Sequence, residues 1–123
     1  RRPLLLATRY TMEQDFYLSR LRDQFDLAPI VPGNDDRTLV HDVIFEELCC
    51  GQVRDASRQR YIEVIDKAKA AGADSVIFGC TEIGLLIGPQ HFDLPAFDST
   101  LLHADAAVAF ALDRQDATRQ NAA

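Results

Sequence analysis

The spacing of apolar positions changes several times along the chain, and each change marks an element. Residues 3–7 form an unbroken apolar run too short for a helix and predict a buried strand. Met12, Phe16, Leu21 and Phe25 then keep roughly to one helical face that runs to about Asp26, with Thr11 and Gln14 spaced as a capping box at its start. Residues 28–31 predict a short second strand. Pro32 and Gly33 break the chain before a helix with the stripe Leu39, Val40, Val43, Ile44 and Leu48, which Gly51 ends. Glu46 and Glu47 on that helix read as solvated, and Cys49 and Cys50 in its last turn read as packing residues. Asp55 opens another helix, with Tyr61, Ile62, Ile65 and Ala68 facing inward and Gly72 as its stop.

Val76, Ile77 and Phe78 predict a third strand that halts at Gly79, where a side chain would crowd the turning backbone. Thr81 is then a natural N-cap for a short helix carrying Glu82, Ile83, Leu85 and Leu86. A fourth strand is expected over about 94–97, followed by Asp98 and Ser99 as caps of a last helix over about 100–112. From Ala104 to Leu112 only Asp105 is polar, so this helix is expected to be buried on more than one side. The polar segment 114–123 is expected to fray.

Strands alternating with helices predict an α/β, flavodoxin-like fold: an about four-stranded, mostly parallel sheet with helices on both faces. The second strand lies at one edge beside the first, so the first and third strands are neighbours whose carboxyl ends flank the ligand crevice of such sheets. Thr8, Thr11 and Cys80 all fall at that edge. Between strand and helix, Cys80 is expected to meet backbone N–H groups and the positive end of a helix dipole, which lower a free-thiol pKa from about 8.5 toward neutrality. That makes it the most acidic and most reactive thiol of the chain and a candidate base. The plainer reading is a small apolar residue ending a core strand.

Charge and composition narrow the ligand. The chain has 123 residues, 47% hydrophobic and 26% charged, which predicts a single core. Nineteen acidic against thirteen basic residues argue against nucleic acid or an anionic membrane as partner and favour a small molecule. No apolar run reaches a membrane span or a secretory signal, and three cysteines without a Cys-x-x-Cys pair suit reduced thiols, so a cytoplasmic location is expected. The only lysines, Lys67 and Lys69, sit inside a helix away from any strand end, so a pyridoxal phosphate Schiff base has no anchor and the chemistry is expected to need no cofactor. No Gly-x-Gly-x-x-Gly, P-loop or Gly-x-Ser-x-Gly motif occurs. His41, His91 and His103 share no ligand spacing and read as surface or loop residues, so no metal is expected.

Four stretches together carry a resemblance. Ala-Thr-Arg-Tyr-Thr-Met-Glu-Gln-Asp-Phe-Tyr (7–17), Ile-Phe-Glu-Glu-Leu-Cys (44–49), Val-Ile-Phe-Gly-Cys-Thr-Glu-Ile-Gly-Leu-Leu-Ile (76–87) and Phe-Asp-Ser-Thr-Leu-Leu-His-Ala (97–104) closely resemble the aspartate/glutamate racemase family, in its broad-specificity amino-acid racemase branch. The likeness runs to about Leu112 and covers only the second half of that family's pattern. It implies two pseudo-symmetric α/β domains, each presenting a cysteine or a substituting threonine at a strand end across a shared site. The implied chemistry is α-proton exchange on an amino acid without pyridoxal phosphate. Carried onto this chain, the resemblance makes Cys80 a catalytic residue. It also makes Thr81 and Glu82 substrate-lining neighbours, and Thr8 and Thr11 the turn that borders the substrate's carboxylate or amino group. Some family members have histidine where Glu82 stands.

The resemblance also divides the chain. Residues 1–97 are the second α/β domain, 98–113 a helix that in relatives crosses to the first domain, and 114–123 a polar tail. The chain begins at Arg1 without methionine, as if cut at a domain boundary. The implied partners are an amino-acid substrate and a missing first-half domain; an exposed domain interface left without that half is expected to serve a partner or a homo-oligomer instead. One thiol serves only one face of an α-carbon, so this chain alone is expected to racemise poorly or not at all. Two alternatives stay open: a decarboxylase that needs a single cysteine to protonate its product carbanion, and a non-catalytic binding or assembly domain.

Overall fold

Pro3, Leu4, Leu5 and Leu6 place no polar side chain, and they form β1 (Pro3–Leu6), every residue of which is buried. The computed structural model describes residues 1–121, with side chains for 1–113. Two further parallel strands follow, β2 (Ser75–Phe78) and β3 (Ala96–Asp98), in the order β1-β2-β3 with Leu6 opposite Phe78 and Phe78 opposite Asp98. The segment 28–31 takes the expected edge beside β1, yet it contributes a single bridge, Leu4 to Ile30. Pro29 and Pro32 flank it and offer no N–H, so the ladder reduces to Ile30 N donating to Pro3 O at 2.8 Å and Leu5 N donating to Ile30 O at 2.8 Å. The predicted neighbourhood of the first and third strands is therefore present, in a sheet of three strands plus this bridge.

The first helical segment differs from the predicted capping box. α1 (Arg9–Glu13) begins directly after Thr8, which holds the N-cap position in extended backbone, and α2 (Asp15–Phe25) restarts after an extended Gln14. Thr11 lies inside α1. Neither Thr8 nor Gln14 makes a side-chain cap bond, because the turn already closes through Thr8 O, which accepts from Thr11 N and Met12 N at 3.1 Å each. The break re-aims α2, so that Met12 and Leu18 are buried while Phe16 and Phe25 face solvent.

α3 (Asn34–Asp42) continues into a π turn (Val43–Glu47) and a 3₁₀ turn (Leu48–Cys50), which Gly51 ends at φ 74°. Its stripe packs as predicted, with Val40, Val43, Ile44 and Leu48 buried. The wide turn rotates the following residues: Cys49 and Cys50 are both exposed, against their expected packing role. Glu47 instead turns inward, its side chain 17% exposed, and accepts from Ser57 Oγ at 2.5 Å. α4 (Asp55–Ala70) supplies Tyr61, Val64, Ile65 and Ala68 to the core.

The sheet has two unlike faces. Val76 and Phe78 are buried in the apolar cluster, whereas Ser75 and Ile77 on the other face are only partly buried and line a groove with Tyr17 and Phe97. After α5 (Ile83–Leu86) and a 3₁₀ turn (Pro89–His91), α6 (Ser99–Asn121) leaves the end of β3. Asp98 caps it as predicted, Oδ1 accepting from Thr100 N at 2.9 Å. Its predicted burial is absent: every residue from Leu101 to Asp113 is exposed, Leu101 at 62% and Val108 at 58%. The backbone is helical through most of the segment read as a fraying tail, and residues 122 and 123 lie outside the described residues. Among the described residues no helix is long and apolar enough to cross a membrane.

Candidate active site

β1 and β2 are paired in register, so residues equally far past their ends emerge side by side. Thr8 follows Leu6 by the same two positions by which Cys80 follows Phe78, its register partner's strand. Neighbouring strands lie about 4.8 Å apart, which brings the threonine turn and the thiol to one edge. Gly79 makes the approach feasible. Its N–H donates to Leu6 O at 2.8 Å, and a Cβ there would stand 3.0 Å from Leu5 Cδ1 and 3.2 Å from Ala7 Cβ.

Cys80 is half-buried against the core and donates its thiol proton to Glu82 Oε2 at 2.9 Å. Burial first, then this hydrogen bond and the carboxylate's charge, push the thiol up to about 11, outweighing the Glu82 backbone N–H, which acts in the expected downward direction. The expected drop toward neutrality is thus reversed. The physical reason is local. Thr81 and Glu82 form a turn, α5 starts only at Ile83 with Glu82 as its N-cap, and it is a single four-residue turn. The nearest strong electrostatic neighbour of Cys80 is therefore an anion rather than a helix N-terminus. Glu82 responds in the opposite sense: hydrogen bonds from Cys80 and then from the Thr81 side chain hold its carboxyl below the usual range.

Thr8 and Thr11 face each other with Oγ1 atoms 3.5 Å apart, both partly buried. The turn that carries them is held from outside by Thr38, which the sequence reading did not single out, and by His41, read as a surface or loop residue but partly buried on α3. Arg9 N donates to His41 Nδ1 at 3.0 Å, and Arg9 Nη2 donates to Thr38 Oγ1 at 2.8 Å. His41 also packs edge-on to Tyr10, centroids 5.9 Å apart, and against Phe45 at 4.7 Å. The His41–Phe45 spacing of one helical turn was visible in the chain, and it was the available signal. Tyr61, read as core, donates its hydroxyl to Val40 O at 2.7 Å, and burial, Cys80 and Glu47 all raise its phenol.

The edge is open. Two large cavities, of about 670 and 660 Å³, are lined elsewhere and include none of Thr8, Thr11 and Cys80. No group of three or more His, Cys, Asp or Glu among the described residues is placed to hold a metal. The arrangement offers a protonated thiol on one side of the edge, paired with a carboxylate, and two hydroxyls on the other.

Comparison with known proteins bears on this edge. The family model for Asp/Glu/Hydantoin racemase matches residues 1–107. Among solved structures, a candidate Asp/Glu racemase from Yersinia pestis is 47% identical with a TM-score of 0.85, the match covering 90% of this chain and 48% of that one. An aspartate racemase homologue from Pyrococcus horikoshii OT3 is 30% identical with a TM-score of 0.81, over the same 90% and 48%. The aspartate racemase of Picrophilus torridus shares the fold at 24% identity, TM-score 0.60, over 78% of this chain and 38% of its own. The chain thus spans about half the length of the first two structures it matches.

Proposed function

The chain belongs to the Asp/Glu/Hydantoin racemase family, and from that premise we propose that it is the second half of a cofactor-independent amino-acid racemase, with Cys80 moving a proton to and from the substrate's α-carbon. The observation that carries this reading is the Cys80 thiol, bonded to Glu82 at 2.9 Å, at the strand edge it shares with the threonine turn.

In the protonated state Cys80 is an acid. The S–H bond breaks as the electron pair of a planar α-carbanion takes the proton, which forms a C–H bond on that face and leaves a thiolate. In the reverse direction the thiolate removes the proton. A thiolate beside the Glu82 carboxylate is disfavoured by like charge, and the ammonium group of a bound amino acid relieves this by pairing with the carboxylate. Glu82 thus has two duties in this reading: it keeps the empty site protonated and receives the substrate's cation, with Thr81 beside it. Thr8 and Thr11 give hydroxyls to the substrate's carboxylate or amino group. Lys67 and Lys69 are engaged with Asp36 and Asp93 at 3.0 Å, on α4.

Inversion needs a second acid/base group on the opposite face of the α-carbon, supplied in this reading by a first-half domain. The test is deuterium incorporation at the α-carbon of aspartate, glutamate and other amino acids in D₂O, with this chain alone and with a first-half domain added. Exchange that requires both parts supports the reading. Its absence from the reconstituted pair overturns it. A thiol that holds its proton also suits the protonation step by itself, which favours single-cysteine decarboxylation as the second reading. Release of CO₂ from an arylmalonate, without exchange on amino acids, separates the two.

A further inference from the structure

α1 has only five residues, too few for a helix to hold itself together, so what fixes it comes from outside. Its first backbone donor, Arg9 N, has no acceptor within the helix. A threonine at the N-cap ordinarily answers the donors of the first turn with its own hydroxyl, yet Thr8 makes no such bond. The acceptor for Arg9 N is His41 Nδ1, at 3.0 Å, from a helix 32 residues further along the chain. The Thr8 hydroxyl is left to face that of Thr11, 3.5 Å away. α3 grips α1 elsewhere as well. The His41 ring meets Tyr10 edge-on at 5.9 Å between centroids and rests against Phe45 at 4.7 Å. Arg9 Nη2 donates to Thr38 Oγ1 at 2.8 Å, and that hydroxyl donates in turn to Asn34 O at 3.1 Å. Arg37 Nη1 lies 3.6 Å from Glu13 Oε1. Of these contacts, the one from Nδ1 acts directly on the backbone between Thr8 and Thr11. A neutral imidazole accepts at one nitrogen and donates at the other, so this bond sets the proton of His41 on Nε2.

We infer, resting on the reading of this edge as an amino-acid site, that His41 is a positioning residue: its bare Nδ1 holds the backbone at Arg9 and so fixes where the Thr8 and Thr11 hydroxyls meet the substrate. His41 touches no reacting atom. The Cys80 thiol stands on the other side of the edge, bonded to Glu82. Loss of the His41 acceptor therefore leaves proton transfer intact and loosens the fit of the substrate.

Two substitutions divide the acceptor from the ring, with circular dichroism confirming that each variant is folded. His41→Phe keeps a ring beside Tyr10 and Phe45 and removes the acceptor. His41→Asn puts an amide oxygen about where Nδ1 stands and removes the ring. In the chain alone, amide hydrogen exchange read by NMR at Arg9, and at Thr11 and Met12 whose donors close the turn on Thr8 O, is expected to quicken on the order of 10-fold in the Phe variant and to stay near wild type in the Asn variant. The wild-type ring needs no variant: at about pH 8, where an ordinary imidazole is neutral, its ¹⁵N shifts are expected to show a bare Nδ1 and a protonated Nε2. With a first-half domain added, α-hydrogen exchange in D₂O is expected to show KM raised on the order of 10-fold in His41→Phe with kcat within about threefold of wild type, and both constants near wild type in His41→Asn. A proton on Nδ1, unchanged amide exchange in the Phe variant, a fall in kcat without a rise in KM, or equal losses in the two variants overturns the inference. Failure of the racemase reading looks different. A wild-type pair without α-hydrogen exchange sinks that reading, while the amide exchange and ¹⁵N shifts of the chain alone still decide whether His41 holds the turn.

Discussion

The Cys80 thiol and the Glu82 carboxylate lie 2.9 Å apart, the thiol donating, and each sets the protonation of the other. With burial acting in the same direction, the thiol is pushed up to about 11 while the carboxyl is held low. In the proposed reading a substrate ammonium that pairs with Glu82 weakens the carboxylate's share of that upward push, while the share due to burial remains.

Alkylation order follows directly. A thiol of pKa about 11 is ionised to about one part in 10⁴ at pH 7, so Cys80 should react with iodoacetamide on the order of 100-fold more slowly than an ordinary exposed thiol. Cys49 and Cys50, both exposed, are expected to be modified first. Glu82→Gln removes the anion and should speed modification of Cys80 at least several-fold. Peptide mapping after limiting reagent measures both, and an unchanged Cys80 rate in the Gln variant would assign the shift to burial alone.

The same shift sets a pH dependence of stability. The folded thiol holds its proton more tightly than the unfolded one, whose pKa is about 8.5. Below that value both states are protonated and the contribution is complete. As pH rises toward about 11 the unfolded chain ionises first, so this part of the stability is progressively lost. Urea midpoints from pH 8 to 11 should fall more steeply for the wild-type chain than for Cys80→Ser.

Gly79→Ala should destabilise the fold by about 1–3 kcal/mol, the range for overpacking a tight site. The added Cβ meets Leu5 Cδ1 at 3.0 Å and Ala7 Cβ at 3.2 Å, both within the buried run beside β2. Urea denaturation measures the loss, and a cost below a few tenths of a kcal/mol would show that β1 yields freely.

How much of this was legible depends on whether the cause was local. The strand ending at Gly79 was readable because a β-branched run stops at a residue without a side chain, and the meeting of Thr8 with Cys80 followed from strand order alone. The state of Cys80 was not readable. Sequence places Thr81 as the N-cap of the helix, but the cap is Glu82, one residue later, and the turn before it brings the Glu82 carboxylate back onto the sulfur. Tyr61 and His41 act through partners 21 and 32 residues away, Val40 O and Arg9 N, and no periodicity reports such contacts. The apolar character of α6 was plain in the chain. Its exposure was not, because a helix apolar on all sides says that it is covered without saying by what.

Tyr61→Phe isolates one of those long-range contacts. Its hydroxyl is buried and donates to Val40 O at 2.7 Å, close to where α3 gives way to the π turn that carries Glu47. Loss of the bond should cost about 1 kcal/mol, with the ring's packing retained. An unchanged urea midpoint would mean that Val40 O is satisfied by its backbone donor.

The proton-transfer reading meets its sharpest test at Cys80 itself. With a competent first-half domain supplied, the wild-type chain should exchange α-hydrogen, and Cys80→Ser should remove most of that exchange at saturating amino acid. Serine keeps the hydrogen bond to Glu82 and nearly the size, but its hydroxyl is far too weak an acid to form the anion near neutral pH, so the substitution separates proton transfer from packing. Substrate affinity should survive it. Thr8→Val should do the converse, weakening binding by about 1 kcal/mol through a lost hydrogen bond while leaving the thiol able to react. Thr11→Val should act alike, and without a capping penalty, because Thr11 lies inside α1 and caps nothing. Isotope exchange in D₂O, measured over a range of substrate concentrations, divides the two effects into rate and affinity. Undiminished exchange in the serine variant at saturation would sink the mechanism, whatever the threonine variants do.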